Sequence, residues 1–277
     1  MSETRKFYWV LQKTNDKKFP YRLTIRDEDE NEIIALYVQD RWPGARGNIF
    51  CLREKEKPEE EMEEVERVPI VNIKKYGKRL IVILDRKIKK RCDFLFLKKK
   101  YKNKDSTYEQ IFWRTEIGLK ERRPKVKIYT YADKKLNIVK DSNERYGWNF
   151  GKNKVLKAKL PVGDYALMSG DEIIAVVERK TFNNIISEFG NLAVFYQKLA
   201  ELESYKNSAL VIEANYSDFL SSKKIKYYTP SFCAKVFAEI SALFPNLKII
   251  FAGNRKLARE WTLRFFVAIN SHQNKED

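Results

Sequence analysis

Histidine is nearly absent from this chain of 277 residues: His272, close to the C-terminus, is the only one. Histidine-based acid, base or nucleophilic chemistry is therefore not expected, and any hydrolysis has to rest on carboxylates, lysine and metal. Cysteine is scarce as well. Cys51, Cys92 and Cys233 are far apart and make no Cys-x-x-Cys pair, so neither a disulfide framework nor a structural zinc site is indicated, and a reduced, cytoplasmic protein fits. No apolar run approaches membrane-spanning length, and residues 1–13 lack a long apolar core behind a basic start, which disfavours secretion and membrane insertion. Internal repeats are also missing.

What the chain has in excess is positive charge. Its 55 Lys and Arg against 38 Asp and Glu give a formal charge of +17, which favours a polyanionic partner because each phosphate contact releases condensed counterions. Nucleic acid is the first partner this suggests. A hydrophobic fraction of 43% with 13% aromatics excludes global disorder, and the length suits two domains of ordinary size. Residues 125–277 hold 24 basic and 16 acidic residues, leaving 31 and 22 for residues 1–124, so both halves are basic, by +8 and +9.

The first half reads as short strands at 7–12, 21–25, 33–39, 49–53, 68–73, 80–84 and 94–97, several alternating apolar and polar residues. The almost wholly charged stretch 54–66, interrupted by Pro58, is expected to be a solvated loop. From Arg86 to Lys104 ten basic residues, among them Lys98, Lys99 and Lys100, are interleaved with Phe94, Phe96 and Tyr101. Such a stripe can track a phosphate backbone; equally, the aromatics can face a core while the lysines keep a strand soluble. Ser106 and Glu109 have capping-box spacing, and Ile111, Phe112, Thr115 and Leu119 then predict a helix ending before Pro124. A domain boundary is placed there, between a β-rich N-terminal domain over 1–124 and a second domain over 125–277.

The second half changes rhythm. Strand-like runs at 127–131, 137–141, 155–160, 165–168 and 173–180 are followed by helices alternating with strands at 210–213 and 248–252, an α/β layout with a mixed central sheet. Thr229 and Pro230 open one helix, and Asn254 caps a last one reaching about Ile269.

The run Val176-Val177-Glu178-Arg179-Lys180 closes an apolar strand. Residues two apart share a strand face, so Glu178 and Lys180 project together and Arg179 projects oppositely. A carboxylate there can hold a hard divalent cation, and an ammonium beside it can position water or stabilise charge on phosphate. In a chain with 34% charged residues, Glu-Arg-Lys alone is weak evidence. Asp164 follows Gly163 fourteen residues earlier, where a hairpin would bring it beside Glu178, and Asp141 and Glu144 close another strand. Four acids and a lysine at one sheet end are costly unless a cation neutralises them, which is why such clusters point to function.

Asp141-Ser142-Asn143-Glu144-Arg145, then Leu160-Pro161-Val162-Gly163-Asp164-Tyr165, then Val177-Glu178-Arg179-Lys180 resembles the nuclease domain of the XPF family of structure-specific endonucleases, whose signature is Gly-Asp, a spacer, then Glu-Arg-Lys-x-x-x-Asp. The resemblance runs from about Asn137 to Ile269. It implies a restriction-endonuclease-like fold of the PD-(D/E)XK type that usually dimerises, and Mg²⁺- or Mn²⁺-dependent endonuclease cleavage of DNA near branches, flaps or junctions. It further implies metal ligation by Asp164 and Glu178 with help from Asp141 and Glu144, Lys180 as the water-positioning group, and Arg179 as support or DNA contact. Two departures stand out. The last acid of the signature falls on Asn184, which also suits a helix start, and the family's paired helix–hairpin–helix domains do not fit after Ile269, so a stand-alone protein is expected.

Other positions carry two readings. Tyr196, Gln197 and Lys198 on a helix after Asn191 can face the scissile phosphate, whereas Phe195, Leu199 and Leu202 are simplest as core. The basic, aromatic loop 221–228, with Lys223 and Lys224, suits DNA contact or mere solubility. Leu257, Trp261, Leu263, Phe265, Phe266 and Ile269 make the last helix apolar on more than one face, as burial or a dimer contact requires. The alternatives to a junction nuclease are a catalytically weak branched-DNA-binding scaffold, supported by Asn184, and a sequence-specific restriction-type nuclease.

Overall fold

A computed structural model describes residues 6–58, 62–101, 105–122 and 136–273. The chain forms two units, Met1–Lys127 and Ile128–Asp277.

The first unit is a closed antiparallel barrel of eight strands: β1 (Phe7–Lys13), β2 (Tyr21–Asp27), β3 (Glu32–Val38), β4 (Asn48–Arg53), β5 (Glu64–Tyr76), β6 (Arg79–Leu84), β7 (Arg91–Lys100) and β8 (Thr107–Arg114), in the order β1-β2-β3-β4-β8-β7-β6-β5. Alternation explains it. Trp9 and Leu11, Leu23 and Ile25, Leu36 and Val38, Cys92 and Phe94, and Ile111 and Trp113 all enter one core at two-residue spacing, while closure leaves no open sheet edge.

Two expectations fail here. The helix predicted through Ile111 and Phe112 is strand β8, whose Ile111 and Trp113 point into the barrel and which bonds to both β4 and β7; only Glu116–Arg122 (α1) is helical. Capping-box spacing is a local signal, and filling the last gap of a barrel outweighs it. Nor is 54–66 simply solvated: Glu54 is buried against the Arg22 guanidinium at 2.6 Å, and Glu64–Glu66 already belong to β5. In the basic stripe, Phe94 and Phe96 pack with the core, whereas Lys98, Lys99, Lys100 and the half-exposed Tyr101 stand outside it; Lys102 and Lys104 lie outside the described residues.

The second unit is mixed α/β. Its six-stranded sheet has the order β10-β9-β11-β12-β13-β14, from β9 (Asn137–Asp141), β10 (Lys154–Ala158), β11 (Tyr165–Ser169), β12 (Glu172–Lys180), β13 (Ser208–Ile212) and β14 (Lys248–Phe251). The strand expected at 127–131 lies outside the described residues. Only β11 runs antiparallel to its neighbours β9 and β12, while β10 parallels β9, and β13 parallels both β12 and β14. The C-terminal ends of five strands therefore share one edge with the start of β11. Helices α2 (Phe182–Glu188), α3 (Leu192–Glu203) and α4 (Pro230–Leu243) cover one face through Val176, Leu210 and Ile212; α5 (Arg255–Gln273) covers the other through Val177, Ala209 and Val211. Phe195, Leu199 and Leu202 of α3 are core residues. Cys51, Cys92 and Cys233 are free and buried, and no helix of the described residues is long and apolar enough to cross a membrane.

Candidate active site at the carboxyl edge of the sheet

The shared edge collects Asp141 at the end of β9, Asp164 just before β11, Glu178 and Lys180 at the end of β12, and Glu213 just after β13. Main-chain bonds continue the sheet through this edge: the Asp141 N–H donates to the Asp164 carbonyl at 2.9 Å, the Asp164 N–H to the Val177 carbonyl at 2.9 Å, and the Glu213 N–H to the Lys180 carbonyl at 2.8 Å. Asp164 reaches its place because Gly163 turns the chain at φ +79°, where a Cβ would sit 2.6 Å from Val176 Cγ2. The β11–β12 hairpin then sets it opposite the end of β12, and the Arg179 N–H fixes Asp164 Oδ2 at 2.7 Å.

Alternation along β12 sorts the signature into two clusters. On the face of α2, Lys180 Nζ lies 2.9 Å from Glu178 Oε1 and 2.8 Å from Glu188 Oε1. On the face of α5, Arg179 is clamped between Glu213 at 2.7 Å and Glu144 at 3.1 Å, with its guanidinium 5.8 Å above the Trp148 ring. The Trp148 indole N–H also donates to Glu213 Oε1 at 2.8 Å, and the Trp148 ring stacks on Tyr165 at 4.7 Å. Arg179, expected as support or DNA contact, and Glu144, expected to help with the metal, are here members of a half-buried ion network that fastens the loop after β9 to the ends of β12 and β13.

Asp141 also takes a different part. Its Oδ1 accepts the Asn143 N–H and its Oδ2 the Leu160 N–H, both at 2.7 Å. Burial works against ionisation there, but these backbone donors outweigh it and hold the carboxyl below the usual aspartate range. Through these bonds Asp141 ties the two following loops to the end of β9. Among the described residues no group of three or more His, Cys, Asp or Glu converges as a metal cluster.

Asp164 is electrostatically unsatisfied. Burial first, then the neighbouring charge of Glu178, raise it from 3.8 to about 7 against the Arg179 N–H and Lys180. Lys180 responds oppositely: burial disfavours its charge, but Glu178 and Glu188 more than restore it and push the ammonium above its ordinary value. Two carboxylates, one of them held near neutrality, beside a committed ammonium form a site lacking positive charge.

Sequence reasoning missed Glu188 and Glu213. Glu188 lies two helical turns past the N-cap Thr181, a spacing that returns a side chain to the strand end; Glu213 follows a parallel strand, and its position depends on β13 pairing beside β12. Asn184 serves the helix: its Oδ1 accepts the Thr181 N–H at 3.1 Å, while its own N–H donates to Thr181 Oγ1 at 3.2 Å. A carboxylate would make the same cap and suit the helix dipole. Asn184→Asp should therefore stabilise the protein by roughly 0.3–1 kcal/mol in denaturant titrations, and a destabilisation would contradict the capping role.

Of the remaining positions, Lys198 bonds Glu188 at 3.2 Å, Lys224 bonds Asp218 at 2.6 Å, and Lys223 is exposed. In the loop 221–228, Ile225 is buried and Tyr228 stacks on Phe232, whereas Tyr227 is free of the core. On α5, Ala258, Phe266 and Ile269 are buried; Leu257 is exposed, and Trp261 and Phe265 are half-buried and stacked at 4.9 Å.

Comparison with known proteins bears on the same region. A family model described as the ERCC4 domain matches residues 140–265. Among solved structures, the chain is similar to XPF from Aeropyrum pernix at 14% identity and a TM-score of 0.38, over 50% of this chain and 67% of that one. The same protein in complex with DNA gives 16% identity and a TM-score of 0.37, over 50% and 66%. No curated protein sequence matches.

Proposed function

The C-terminal unit carries an ERCC4 domain, the nuclease domain of XPF-type proteins, and on that premise we propose that this protein is a divalent-metal-dependent DNA endonuclease that cuts one strand at branches, flaps or junctions. The observation that carries this reading is the convergence of Asp164, Glu178 and Lys180 at the carboxyl edge, with Asp164 raised to about 7 by burial and Glu178. Strands that deliver acids and a lysine to one edge of a mixed sheet have the arrangement of restriction-endonuclease-like enzymes.

The donor set fits Mg²⁺ or Mn²⁺, hard ions that take one or two carboxylates and fill their other positions with water and phosphate oxygen. Such an ion, when bound, supplies an activated water and a Lewis acid for the scissile phosphate. Asp164 and Glu178 would hold it. Lys180, kept protonated by two carboxylates, places a positive charge where the phosphate gains negative charge. Asp141, Glu144, Arg179 and Glu213 keep the three strand ends in register. The scaffold alternative rested on Asn184, whose amide is accounted for by capping; nothing else in the site favours it. The free, buried thiols suit a reducing, cytoplasmic setting.

Cleavage of labelled linear, flap, splayed and four-way DNA with Mg²⁺, Mn²⁺ or EDTA tests the reading. Metal-dependent cuts at the branched substrates support it; binding without cutting under either metal defeats it.

DNA contacts are assigned to Lys198, Lys223 and Lys224 on the nuclease unit and to Lys98, Lys99 and Lys100 on the barrel, where β7 runs beyond the start of β6 as half of an exposed hairpin with β8. Replacing Lys98, Lys99 and Lys100 together by alanine should reduce the slope of log K against log salt by up to about 3 for duplex DNA, measured by fluorescence anisotropy; an unchanged slope removes the barrel from the interface. A homodimer through Leu257, Trp261 and Phe265, spaced four apart on α5, completes the proposal. Trp261→Glu should convert sedimenting dimer to monomer at micromolar concentration, and a wild type that sediments as monomer ends this part of it.

A further inference from the structure

Glu188 belongs to no part of the signature, yet it lies as close to the signature lysine as Glu178 does. Glu178, Lys180, Glu188 and Lys198 form a row of alternating charge, with contacts of 2.9 Å, 2.8 Å and 3.2 Å, running from the sheet edge to the surface of α3. The first three side chains are 21%, 14% and 16% exposed, and Lys198 is 52% exposed. Lys180 is therefore a shielded ammonium with two carboxylate partners, while Lys198 is a solvated neighbour whose pairing adds little.

Without a bound cation, Lys180 is the counter-ion of Glu178. A divalent ion that takes Glu178 has to displace that ammonium. Were Glu178 its only partner, displacement would strand a poorly solvated charge, a cost opposing ion binding. Glu188 removes the difficulty because it already holds the other side of the same nitrogen. We propose that Glu188 is a positioning residue that retains the Lys180 ammonium when Glu178 turns to a divalent cation, and so strengthens cation binding through Lys180 without ligating the ion. The inference rests on the reading of Asp164 and Glu178 as the ion's ligands.

A plain field effect would also make Glu188 favour a cation, so the test must separate reach from charge. Mn²⁺ binding to the full-length protein, followed by electron paramagnetic resonance, gives a Kd for wild type, Glu188→Gln, Lys180→Met and the double variant, a cycle that isolates the coupling. Glu188→Gln should weaken Mn²⁺ binding about ten-fold in the wild-type background and less than about two-fold once Lys180 is methionine. Glu188→Asp, which keeps the charge and shortens the arm, should lose nearly as much as Glu188→Gln, and it serves alone if the amide variant does not fold. Equal losses with and without Lys180, or a fully retained affinity in Glu188→Asp, assign the effect to charge alone and overturn the proposal. A wild type that binds no Mn²⁺ sensitive to Asp164→Asn overturns the ion site itself, and the role of Glu188 with it.

Discussion

Asp164→Asn is expected to abolish cleavage and, in metal-free buffer above neutral pH, to raise the melting temperature. The two effects have one cause. Asp164 is raised from 3.8 to about 7 by burial and by Glu178, so between about pH 4 and pH 7 the folded protein keeps a proton that the unfolded chain has released. Stability therefore falls as pH rises through that window, and the loss is complete above it. The amide cannot ionise, makes the same acceptor contact to the Arg179 N–H, and removes this decline. We expect a gain of roughly 3–6 °C at pH 8 for a domain of this size. Without the carboxylate, Glu178 alone holds a divalent ion poorly, and cleavage should drop by about a thousand-fold or more, ~4 kcal/mol of barrier.

Thermal melts of wild type and variant at pH 5 and pH 8 in EDTA, beside single-turnover cleavage in Mg²⁺, read both effects. A wild type whose metal-free stability does not fall between these pH values, or a variant that cuts normally, contradicts the site. Adding Mn²⁺ should raise the wild-type melting temperature and leave Asp164→Asn where it was, because only binding to the folded state stabilises.

Arg179→Ala is expected to lower stability first and activity only as a consequence. Within the signature Glu178-Arg179-Lys180, Arg179 invites a catalytic role, yet it lies on the opposite face of β12, where it holds Glu144 and Glu213. The three side chains are 11%, 10% and 8% exposed. Removing the guanidinium leaves the Glu144 carboxylate without its cation and Glu213 with only the longer 3.7 Å contact to Arg255, a loss that for a buried pair costs about 3–5 kcal/mol. For a domain of this length that is on the order of 10 °C in melting temperature.

Glu213 adds a pH signature. Burial opposes its ionisation, but hydrogen bonds from Arg179 and Trp148 prevail and hold it below its ordinary 4.5. Its contribution is therefore present at neutral pH and lost on acidification below that value. The acid limb should flatten in Glu213→Gln. Arg179→Ala protein that melts like wild type but does not cut would return Arg179 to the reacting atoms.

The sequence by itself determined the strands of both halves, since most core side chains of β1–β4, β6 and β7 recur every second residue, and it determined the partition of Glu178 and Lys180 from Arg179, because strand alternation is a covalent consequence of the backbone. It also marked Gly163-Asp164, where a turn demands glycine. It misjudged residues 107–114, whose capping spacing and apolar positions suit either structure until the barrel's open edge recruits them as β8, while the helix expected to follow is present from Glu116.

The partners across the site had no sequence signal of comparable strength. Glu213 is 69 residues from Glu144 and meets it through Arg179 only because β13 pairs beside β12; Glu54 is 32 residues from Arg22. Asp141 was placed at the end of its strand from the sequence, but that its carboxylate meets the Asn143 and Leu160 N–H groups depends on how the following loops fold. Local periodicity fixes which way a side chain points, and only the packing of distant segments decides what it meets there.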